Sequence, residues 1–366
     1  MIIKNGLVFN ENCNFEKKDI YIEDGIIVSS LEQVTDKKEI DANGNYVIPG
    51  LIDTHIHGAT GHDFCDKDID GLVSIAKYLK SHGITAFCPT SMTLKKDLLK
   101  EIFNTATTNL PKDCANIVGI HMEGPFLSSE KKGAQDAKFI VNPEVNIFKE
   151  LNQACNNMIK IITMAPECEG GLDFIKEMSK TVGISIGHTT ANYDIAKKAF
   201  DFGASRVTHL FNAMPAFNHR DPSVVGAALD NENIFVELIC DGIHIHPSMI
   251  RATFKMFGDD RIILVSDAMM ATGMENGTYE LGGQKVTMKD KKAVLDDGTI
   301  AGSATNLFDC MKKAVSFGIP LESAIKACTK VPAISINIFD KMGSITAGKI
   351  ANLVIMDKSL NIKQVI

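Results

Sequence analysis

The sequence predicts an α/β fold, a closed (β/α)8 barrel of the TIM type with a small β-sandwich domain formed by both chain termini. Eight apolar segments have the character of strands, each ending in polar residues and followed by a helix-length periodic segment. Repeated units of this kind favour a parallel sheet, and eight of them favour its closure into a barrel. An open doubly wound sheet is the alternative. The strand candidates are VIPGLIDTHIH, ITAFCPTS, NIVGIHMEG, IKIITMAPE, GISIGHTT, SRVTHLFNAM, NIFVELICDGIH and RIILVSDAM.

The two ends of the chain show short strands and turns instead. The stretches IIKNGLVFN, DIYIEDGIIVSS and EIDANGNYVIPG contain Asn-Gly and Asp-Gly pairs, which we interpret as hairpin turns. We therefore predict a discontinuous β-sandwich domain over 1–48 and 345–366, and the (β/α)8 barrel over 49–344. A Gly-rich, strand-like stretch at about 272–302 is too long for a simple loop and predicts a β-hairpin flap over the barrel mouth.

The composition is that of an enzyme-sized globular protein. Of the 366 residues, 45% are hydrophobic and 23% are charged, and 38 Lys and Arg against 45 Asp and Glu give a formal charge of -7. The chain has no basic block interleaved with aromatic residues, so we expect no nucleic-acid partner. No apolar run approaches the roughly 18 residues of a membrane helix, and the N-terminal stretch turns polar too early for a secretory signal. We therefore expect no membrane partner.

The cysteine pattern predicts free thiols. The nine cysteines are scattered from Cys13 to Cys328 without a Cys-x-x-Cys pair. That pattern is typical of buried thiols in a reducing compartment, so we expect a cytoplasmic protein. Cys88 and Cys240 lie near strand ends, but they have no partner at ligand spacing and are interpreted as buried apolar thiols.

Chemically active side chains gather at the ends of the predicted strands, which is where a barrel places its active site. Strand residues two apart share a face, so His55 and His57 point the same way and suit one metal ion. A single histidine at such a position is more often structural, and we keep that interpretation for His62, His82 and His219. Five coincident positions favour a metal site instead, with His55, His57, Glu123, His188 and His209 as its candidate ligands.

Nitrogen and carboxylate ligands without thiolates indicate a divalent cation, Zn²⁺ or Fe²⁺ first and Mn²⁺ or Co²⁺ as alternatives. Asp267, in VSDAM at the end of the eighth strand, is the natural proton carrier. A carboxylate beside a metal-activated water takes the proton of that water and later returns it to a leaving amine. The alternative is that Asp267 is itself a metal ligand.

With PGLIDTHIHG, HMEGPF, GHT, THLFNAM, DGIH and SDAM in this order, nearly the whole chain resembles the N-acetylglucosamine-6-phosphate deacetylase family of the amidohydrolase superfamily. The resemblance implies a metal-bearing barrel with a small β-sandwich, with Glu123, His188 and His209 as ligands of the principal metal and Asp267 as general base and acid. Some members lack the paired histidines of the first strand and hold one metal. This chain retains His55 and His57, so the resemblance implies one or two metals per subunit, with Glu123 bridging the second.

The resemblance also implies an amino-sugar phosphate substrate, deacetylated in amino-sugar catabolism and cell-wall sugar recycling, and a homodimer. The sugar-phosphate contacts implied are His244 in DGIH, Asn212 and Ala213 in FNAM, and Arg220 in NHRDP, which acts in its own subunit or across an interface. Gln135 stands where some members carry a histidine that holds the substrate, so it is a further candidate contact.

Two competing functions remain open at this point. Another amidohydrolase, such as one that opens a cyclic amide, commonly bridges two metals with a carboxylated lysine at the end of the fourth strand. This chain has MAPE there, and Lys160 lies at the start of that strand. A non-catalytic barrel serving in binding or assembly is the second, but such proteins usually lose ligands, and every expected position is filled here.

Overall fold

The computed structural model describes all 366 residues and begins with five strands of one sheet. The strand β1 pairs antiparallel with β2, β2 pairs antiparallel with β3, and both β4 and β5 lie parallel to β1. These strands are β1 (Ile2–Phe9), β2 (Phe15–Glu23), β3 (Ile26–Val28), β4 (Glu39–Asp41) and β5 (Tyr46–Pro49).

The hairpin prediction is confirmed at one of its three places. Asp24-Gly25 is the two-residue turn between β2 and β3, and both residues have the positive φ that such a turn needs. Asn5-Gly6 is not a turn, because it lies at a register shift inside β1. Asn43-Gly44 is not a hairpin either, since it joins β4 to β5 and both strands run parallel to β1. Asn tolerates positive φ, so a bulge and a turn have the same sequence signal.

The eight predicted barrel strands all form. They are β6, β9 and β11 to β16, and they pair in parallel in that order around the barrel. A parallel bridge from Ile56 to Ala268 joins β6 back to the chain after β16, which brings the ring to closure. The strands of this region are β6 (Leu51–Ile56), β7 (Gly58–Ala59), β8 (His62–Asp63), β9 (Ile84–Ser91), β10 (Asn116–Ile117), β11 (Ile120–Glu123), β12 (Ile159–Met164), β13 (Gly183–Ile186), β14 (Arg206–Val207), β15 (Phe235–Ile239) and β16 (Ile262–Val265).

Each barrel strand is followed by a helix that covers the outside of the barrel, and two further helices follow the eighth. A cluster of 67 buried residues forms the main core. None of the helices is long and apolar enough to cross a membrane. The helices are α1 (Ile69–Ser81), α2 (Lys96–Thr105), α3 (Val145–Ala154), α4 (Gly171–Met178), α5 (Tyr193–Asp201), α6 (Ser223–Leu229), α7 (Pro247–Phe257), α8 (Leu307–Ser316), α9 (Leu321–Cys328) and α10 (Lys330–Ser335).

Between β16 and α8 lies a three-stranded antiparallel sheet of β17 (Gly277–Leu281), β18 (Gln284–Lys289) and β19 (Lys292–Val294). It occupies the stretch where the sequence predicts a flap. Its Leu281 lines the cavity at the barrel mouth, as do Thr299, Ile300 and Gly302 after its last strand. Its role as a lid stays a prediction.

The last two strands, β20 (Leu353–Met356) and β21 (Ile362–Val365), return to the first sheet. β20 pairs antiparallel with β5, so one seven-stranded sheet contains both ends of the chain. Eleven buried residues form a separate apolar core there. The proposed domain limits at 48/49 and 344/345 stay predictions.

The junction between the terminal sheet and the barrel is at Gly50. The first predicted strand candidate, 47–57, is in fact two strands, since β5 belongs to the terminal sheet and β6 to the barrel. A Cβ added at Gly50 would lie 2.1 Å from Thr85 Oγ1 and 2.7 Å from Thr85 Cβ. Only glycine lets the chain pass β9 this closely.

We therefore expect Gly50→Ala to lower the free energy of unfolding by about 1–3 kcal/mol, because Thr85 is fully buried and must shift. Urea denaturation of the substituted and original proteins measures the difference. Gly277→Ala is the matched control, since its Cβ would meet only ordinary contacts at 3.4 Å or more. Equal losses in the two variants would contradict the close-approach explanation.

Candidate metal centre and active site

Six side chains from five strand ends meet at the C-terminal mouth of the barrel. None is more than 8% exposed. Two backbone hydrogen bonds join the end of β6 to the chain after β16. They run from Asp267 N to His55 O over 2.9 Å and from His57 N to Ala268 O over 2.8 Å. The six residues are His55 in β6, His57 just after it, Glu123 at the end of β11, and His188, His209 and Asp267, each two residues beyond β13, β14 and β16.

The carboxylate of Glu123 lies at the centre of the cluster. Its Oε1 is 3.3 Å from His188 Nε2 and 3.2 Å from His209 Nε2. Its Oε2 is 3.5 Å from His57 Nε2, on the other side. The two imidazole nitrogens of His188 and His209 are only 3.1 Å apart. One carboxylate thus faces two separate pairs of histidines.

Asp267 faces the first-strand pair. Its Oδ1 is 3.1 Å from His57 Nε2 and 3.4 Å from His55 Nε2. His55 Nε2 is also 3.5 Å from Glu123 Oε1, yet it is fully buried and makes no hydrogen bond. A buried nitrogen without a hydrogen-bond partner destabilises the fold, so this atom marks a place for a cation.

Three of the imidazoles are oriented through their other nitrogen. Each Nδ1 faces an oxygen that only accepts, so it carries the proton and leaves a lone pair on Nε2. His57 Nδ1 is 3.1 Å from Thr90 O, and His188 Nδ1 is 2.9 Å from Lys131 O. The third, His55 Nδ1, is 3.0 Å from a side-chain oxygen of Glu237. In the neutral rings, the three Nε2 lone pairs therefore point into the cluster.

Three site residues have a left-handed backbone. The φ angles are 48° at His188, 28° at His209 and 49° at Asp267. Such angles strain residues other than glycine and persist only where the surroundings impose them. The left-handed conformation directs these side chains over the barrel mouth. Sequence periodicity does not reveal it.

The donors present fit a divalent metal ion. Two groups of possible ligands both include Glu123. One group adds His55 and His57, and the other adds His188 and His209. Neutral imidazole and carboxylate donors suit Zn²⁺ or Fe²⁺. The unpartnered Nε2 of His55 and the close Nε2 pair of His188 and His209 are the arrangement that a cation stabilises.

A third group, His55, His121 and Glu237, does not fit a metal. Both nitrogens of His121 already have partners, with Nδ1 3.0 Å from Thr54 O and Nε2 2.7 Å from Thr163 Oγ1. Burial lowers the pKa of His121 to about 3, so the ring is a neutral structural histidine.

Burial and charge act against each other on the carboxylates. Burial raises the pKa of Asp267, but the neighbouring His55 and His57 lower it to about 2. Burial also raises the pKa of Glu123, and His55 and His188 hold it well below its usual value. Both groups are therefore anionic at neutral pH. Two buried anions at one site favour a bound cation.

A cavity of about 370 Å³ opens beside the cluster, a size that suits a small ligand. Four of the predicted substrate contacts, Gln135, Asn212, Ala213 and His244, line it together with Asp267. The fifth, Arg220, is exposed and lies outside this lining. The structure thus brings four of the five to one place within a single chain. Their roles stay predictions.

Gln135 makes contacts that the sequence does not suggest. Its amide donates to Glu123 Oε2 over 2.7 Å, and its oxygen accepts from Thr93 N over 2.7 Å. Both ends of the side chain are thus engaged with the protein, and it holds the central carboxylate in place. Its predicted contact with substrate has to use the remaining amide hydrogen.

Two charged residues below the cluster were missed by sequence analysis. Arg206 and Glu237 are buried in β14 and β15, with Nη1 and Oε1 3.5 Å apart. A charged residue inside an apolar strand, as in FVELI, is the signal that could have found Glu237.

The remaining histidines and thiols lie away from the cluster. His82 caps α1 with Nδ1 2.8 Å from Tyr78 O, His62 is partly exposed 3.9 Å from Asp68, and His219 is exposed. Cys88 and Cys240 are fully buried, and burial raises the pKa of the Cys88 thiol to about 12. All nine cysteines are free.

A (β/α)8 barrel whose strand ends gather histidines and carboxylates defines the amidohydrolase class. The model of the Amidohydrolase family matches residues 46–366. That range covers the barrel and the C-terminal strands.

More specific relatives narrow the class. The N-acetylglucosamine-6-phosphate deacetylase of Bacillus subtilis (strain 168) is 35% identical over 99% of this chain and 94% of its own length. That of Caenorhabditis elegans is 32% identical over 99% of this chain and 93% of its own. This chain belongs to the N-acetylglucosamine-6-phosphate deacetylases of the amidohydrolase family.

Solved structures agree with this grouping. The Pasteurella multocida N-acetylglucosamine-6-phosphate deacetylase has a TM-score of 0.92 at 30% identity, over 100% of this chain and 97% of that one. A mutant of the Mycobacterium smegmatis deacetylase in complex with N-acetyl-D-glucosamine-6-phosphate has a TM-score of 0.91 at 28% identity, with the same coverage.

We expect Gln135→Met to lower the free energy of unfolding of the metal-free protein by about 1–3 kcal/mol, because Thr93 N–H and Glu123 Oε2 lose their buried partner. Urea denaturation measures the loss. Gln153→Met, on the exposed face of α3, is the control and should change stability by no more than about 0.5 kcal/mol. A loss no larger in Gln135→Met than in the control would show that the two hydrogen bonds stabilise little.

Proposed function

We propose that this chain hydrolyses the acetamide of N-acetylglucosamine 6-phosphate, giving glucosamine 6-phosphate and acetate. The observation that carries this is the placement of Asp267 in the cavity wall beside the Glu123 cluster, in a chain related over its full length to deacetylases of that substrate. A carboxylate beside paired imidazole ligands is the apparatus for amide hydrolysis by water.

Glu123, His188 and His209 are the proposed ligands of the principal metal, and His55 and His57 those of a second metal bridged by Glu123. The two donor groups that share Glu123 support this assignment. Zinc or iron suits these donors best, with manganese or cobalt as alternatives. When bound, a divalent cation makes water acidic enough to attack at neutral pH and polarises the amide carbonyl.

Asp267 is the proposed proton carrier. Its low pKa makes it anionic at neutral pH, so its Oδ1 accepts a proton from the attacking water. The same oxygen then donates that proton to the amine nitrogen as the C–N bond breaks, and the carboxylate is restored. Asp267 Oδ1 is 3.1 Å from His57 Nε2, which places the carboxylate beside a proposed metal ligand.

Phosphate recognition is proposed for the other side of the cavity. The Nδ1 of His244 is 2.7 Å from Asp241 Oδ2, so Nε2 is left for the ligand. Ala213 has a left-handed backbone with φ of 51°, and its N–H makes no hydrogen bond within the chain. An imidazolium and a free N–H are suitable donors for phosphate oxygens, and Asn212 beside them offers its side-chain oxygen to a sugar hydroxyl. The sheet of β17 to β19 closes the cavity as a lid.

Arg220 is proposed to bind phosphate in a homodimer. Its exposed position outside the cavity of its own chain supports a contact with a partner subunit's substrate. We further propose a cytoplasmic location, supported by nine free thiols, six of them buried.

A cyclic-amide hydrolase is not favoured. Its bridging lysine would stand at the end of β12, where the chain has Ala165, Pro166 and Glu167. Lys160 is the second residue of β12, at the opposite end of that strand from the site.

We expect Asp267→Asn to reduce acetate release from N-acetylglucosamine 6-phosphate by about 10²–10⁴-fold, because the amide no longer accepts the water proton. Release is measured with the metal-loaded enzyme, and elemental analysis checks that the ions are retained. No acetate from the phosphorylated sugar with the original enzyme would overturn the proposed function. An Asp267→Asn enzyme of unchanged rate would remove Asp267 from the mechanism.

We expect KM for the phosphorylated sugar to rise with pH on the alkaline side of 6.5. Burial lowers the pKa of His244, but its hydrogen bond to Asp241 raises it above the ordinary value. The imidazolium therefore persists below that raised pKa and is lost as pH rises through it. KM measured from about pH 7 upward avoids the second titration of the phosphate near about 6.

His244→Gln should raise KM about 10- to 100-fold at neutral pH and abolish its rise with pH. The unphosphorylated sugar is the control and should show neither effect. A pH-independent KM in the original enzyme would contradict a charged His244 contact.

A further inference from the structure

A buried ion pair lies directly beneath the cluster. Glu237 is 0% exposed and Arg206 is 3% exposed. The Oε1 of Glu237 is 3.5 Å from Arg206 Nη1. Its Oε2 is 3.0 Å from His55 Nδ1 and also accepts a hydrogen bond of 3.2 Å from His209 N. One carboxylate therefore contacts a residue from each of the two ligand groups.

We propose that Glu237 is the positioning residue of the second metal, because it sets which nitrogen of His55 carries the proton. This inference rests on the two-metal site of the proposed function. A carboxylate only accepts, so the imidazole must present Nδ1–H to it. The opposite tautomer would place a lone pair against the carboxylate and a proton on Nε2. Nε2 is the atom that faces Glu123 and Asp267 at 3.5 and 3.4 Å.

His55 differs from its neighbours in what orients it. The Nδ1 atoms of His57 and His188 face the backbone carbonyls of Thr90 and Lys131, which the fold supplies whatever the side chain. His55 instead depends on a side chain from another strand. Partners of this kind commonly contribute 10- to 100-fold to metal affinity. The second metal is thus the one whose binding a single remote substitution can alter.

Arg206 balances the charge of Glu237. Its Nη1 lies 3.5 Å from Glu237 Oε1 without a hydrogen bond, and the other oxygen, Oε2, is left to His55. Without Arg206 the carboxylate would be a buried anion next to a site that already has two. Glu237→Met removes the acceptor that faces His55 Nδ1–H, so the tautomer with the proton on Nε2 is no longer disfavoured. Gln would not serve, because its amide oxygen can replace Oε2 opposite His55 Nδ1 and His209 N.

The first test is equilibrium dialysis of purified protein against zinc, with elemental analysis and competition by a chelator. We expect two ions per subunit in the original chain. In Glu237→Met the dissociation constant of the weaker ion should rise about 10- to 100-fold, while that of the other changes by about twofold or less. Glu150→Met is the matched control, since it removes a carboxylate from an exposed pair with Lys96 and Lys100.

A second variant guards against misfolding. Glu237→Met leaves Arg206 as an unpaired buried charge, which destabilises a core. The double variant Arg206→Met/Glu237→Met removes both charges and should keep its melting temperature within a few degrees of the original. It should still bind the second zinc more weakly, because no acceptor faces His55 Nδ1.

The second readout is the proton on His55. In the zinc-loaded protein labelled with ¹⁵N-histidine, NMR should show a proton on His55 Nδ1 and a metal-bound Nε2, assigned by its loss in His55→Asn. In the double variant the His55 signal should become that of an unligated ring, while His188 and His209 keep the metal-bound pattern. A purely structural role for Glu237 would leave the pattern of His55 unchanged.

The outcomes separate this inference from the proposed function. A folded double variant with two ions of unchanged affinity would overturn the role of Glu237 and leave deacetylation standing. Original protein that binds one ion per subunit would overturn it together with the second metal. Failure of the enzyme to release acetate would contradict the proposed function, whereas the ion counts would still test Glu237.

Discussion

The carboxylate of Glu123, buried among four imidazoles, is the constraint on which the rest of the site depends. The Nδ1 atoms of His55, His57 and His188 face acceptors, so the Nε2 lone pairs of the neutral rings point toward the Glu123 carboxylate. These lone pairs and the anionic carboxylate repel one another unless a cation lies between them. The cluster is therefore at its most stable when metal is bound, and the metal-free protein has to compensate with protons. That is why His55, where burial alone would lower the pKa, has it raised to about 10 by Asp267, Glu123 and Glu237.

The barrel brings these charged groups together from distant parts of the chain. Hydrogen bonds between the first strand and the residues after β16 set Asp267 beside His55 and His57. The left-handed φ of His188 and His209 then turns two further imidazoles over the same point. Two polar contacts fix the orientation of the proposed ligands, one from Gln135 in the cavity wall to Glu123 and one from Glu237 beneath the site to His55.

The strands and most of the site could be predicted from the sequence because both have local signatures. Apolar runs ending in His, Glu or Asp place the cluster at strand ends without any knowledge of the barrel's geometry. The Asn-Gly turns failed because Asn5 and Asn43 adopt positive φ in a bulge and a parallel connection as readily as in a hairpin. The first barrel strand was predicted too long, since only packing against Thr85 reveals that Gly50 separates the terminal sheet from the barrel.

The contacts among distant residues could not be predicted at all. Gln135 was expected to face substrate, yet whether an amide meets Glu123 depends on the path of a loop 12 residues away. Glu237 and Arg206 stand out as charges within apolar strands, but nothing in the sequence pairs them with each other or with His55. Arg220 is exposed in one chain, so its partner is a question of assembly that a single chain's sequence leaves open.

The metal content of Glu123→Gln, measured by elemental analysis after dialysis against the divalent ion, tests the central role of this carboxylate most directly. Both donor groups contain Glu123, so in the proposed two-metal site the substitution should weaken both ions together. The effect should be far larger than that of losing any one histidine on the ion of the other group. If the Glu123→Gln protein folds and still binds either ion as tightly as the original chain does, Glu123 is not the shared ligand and the account is wrong.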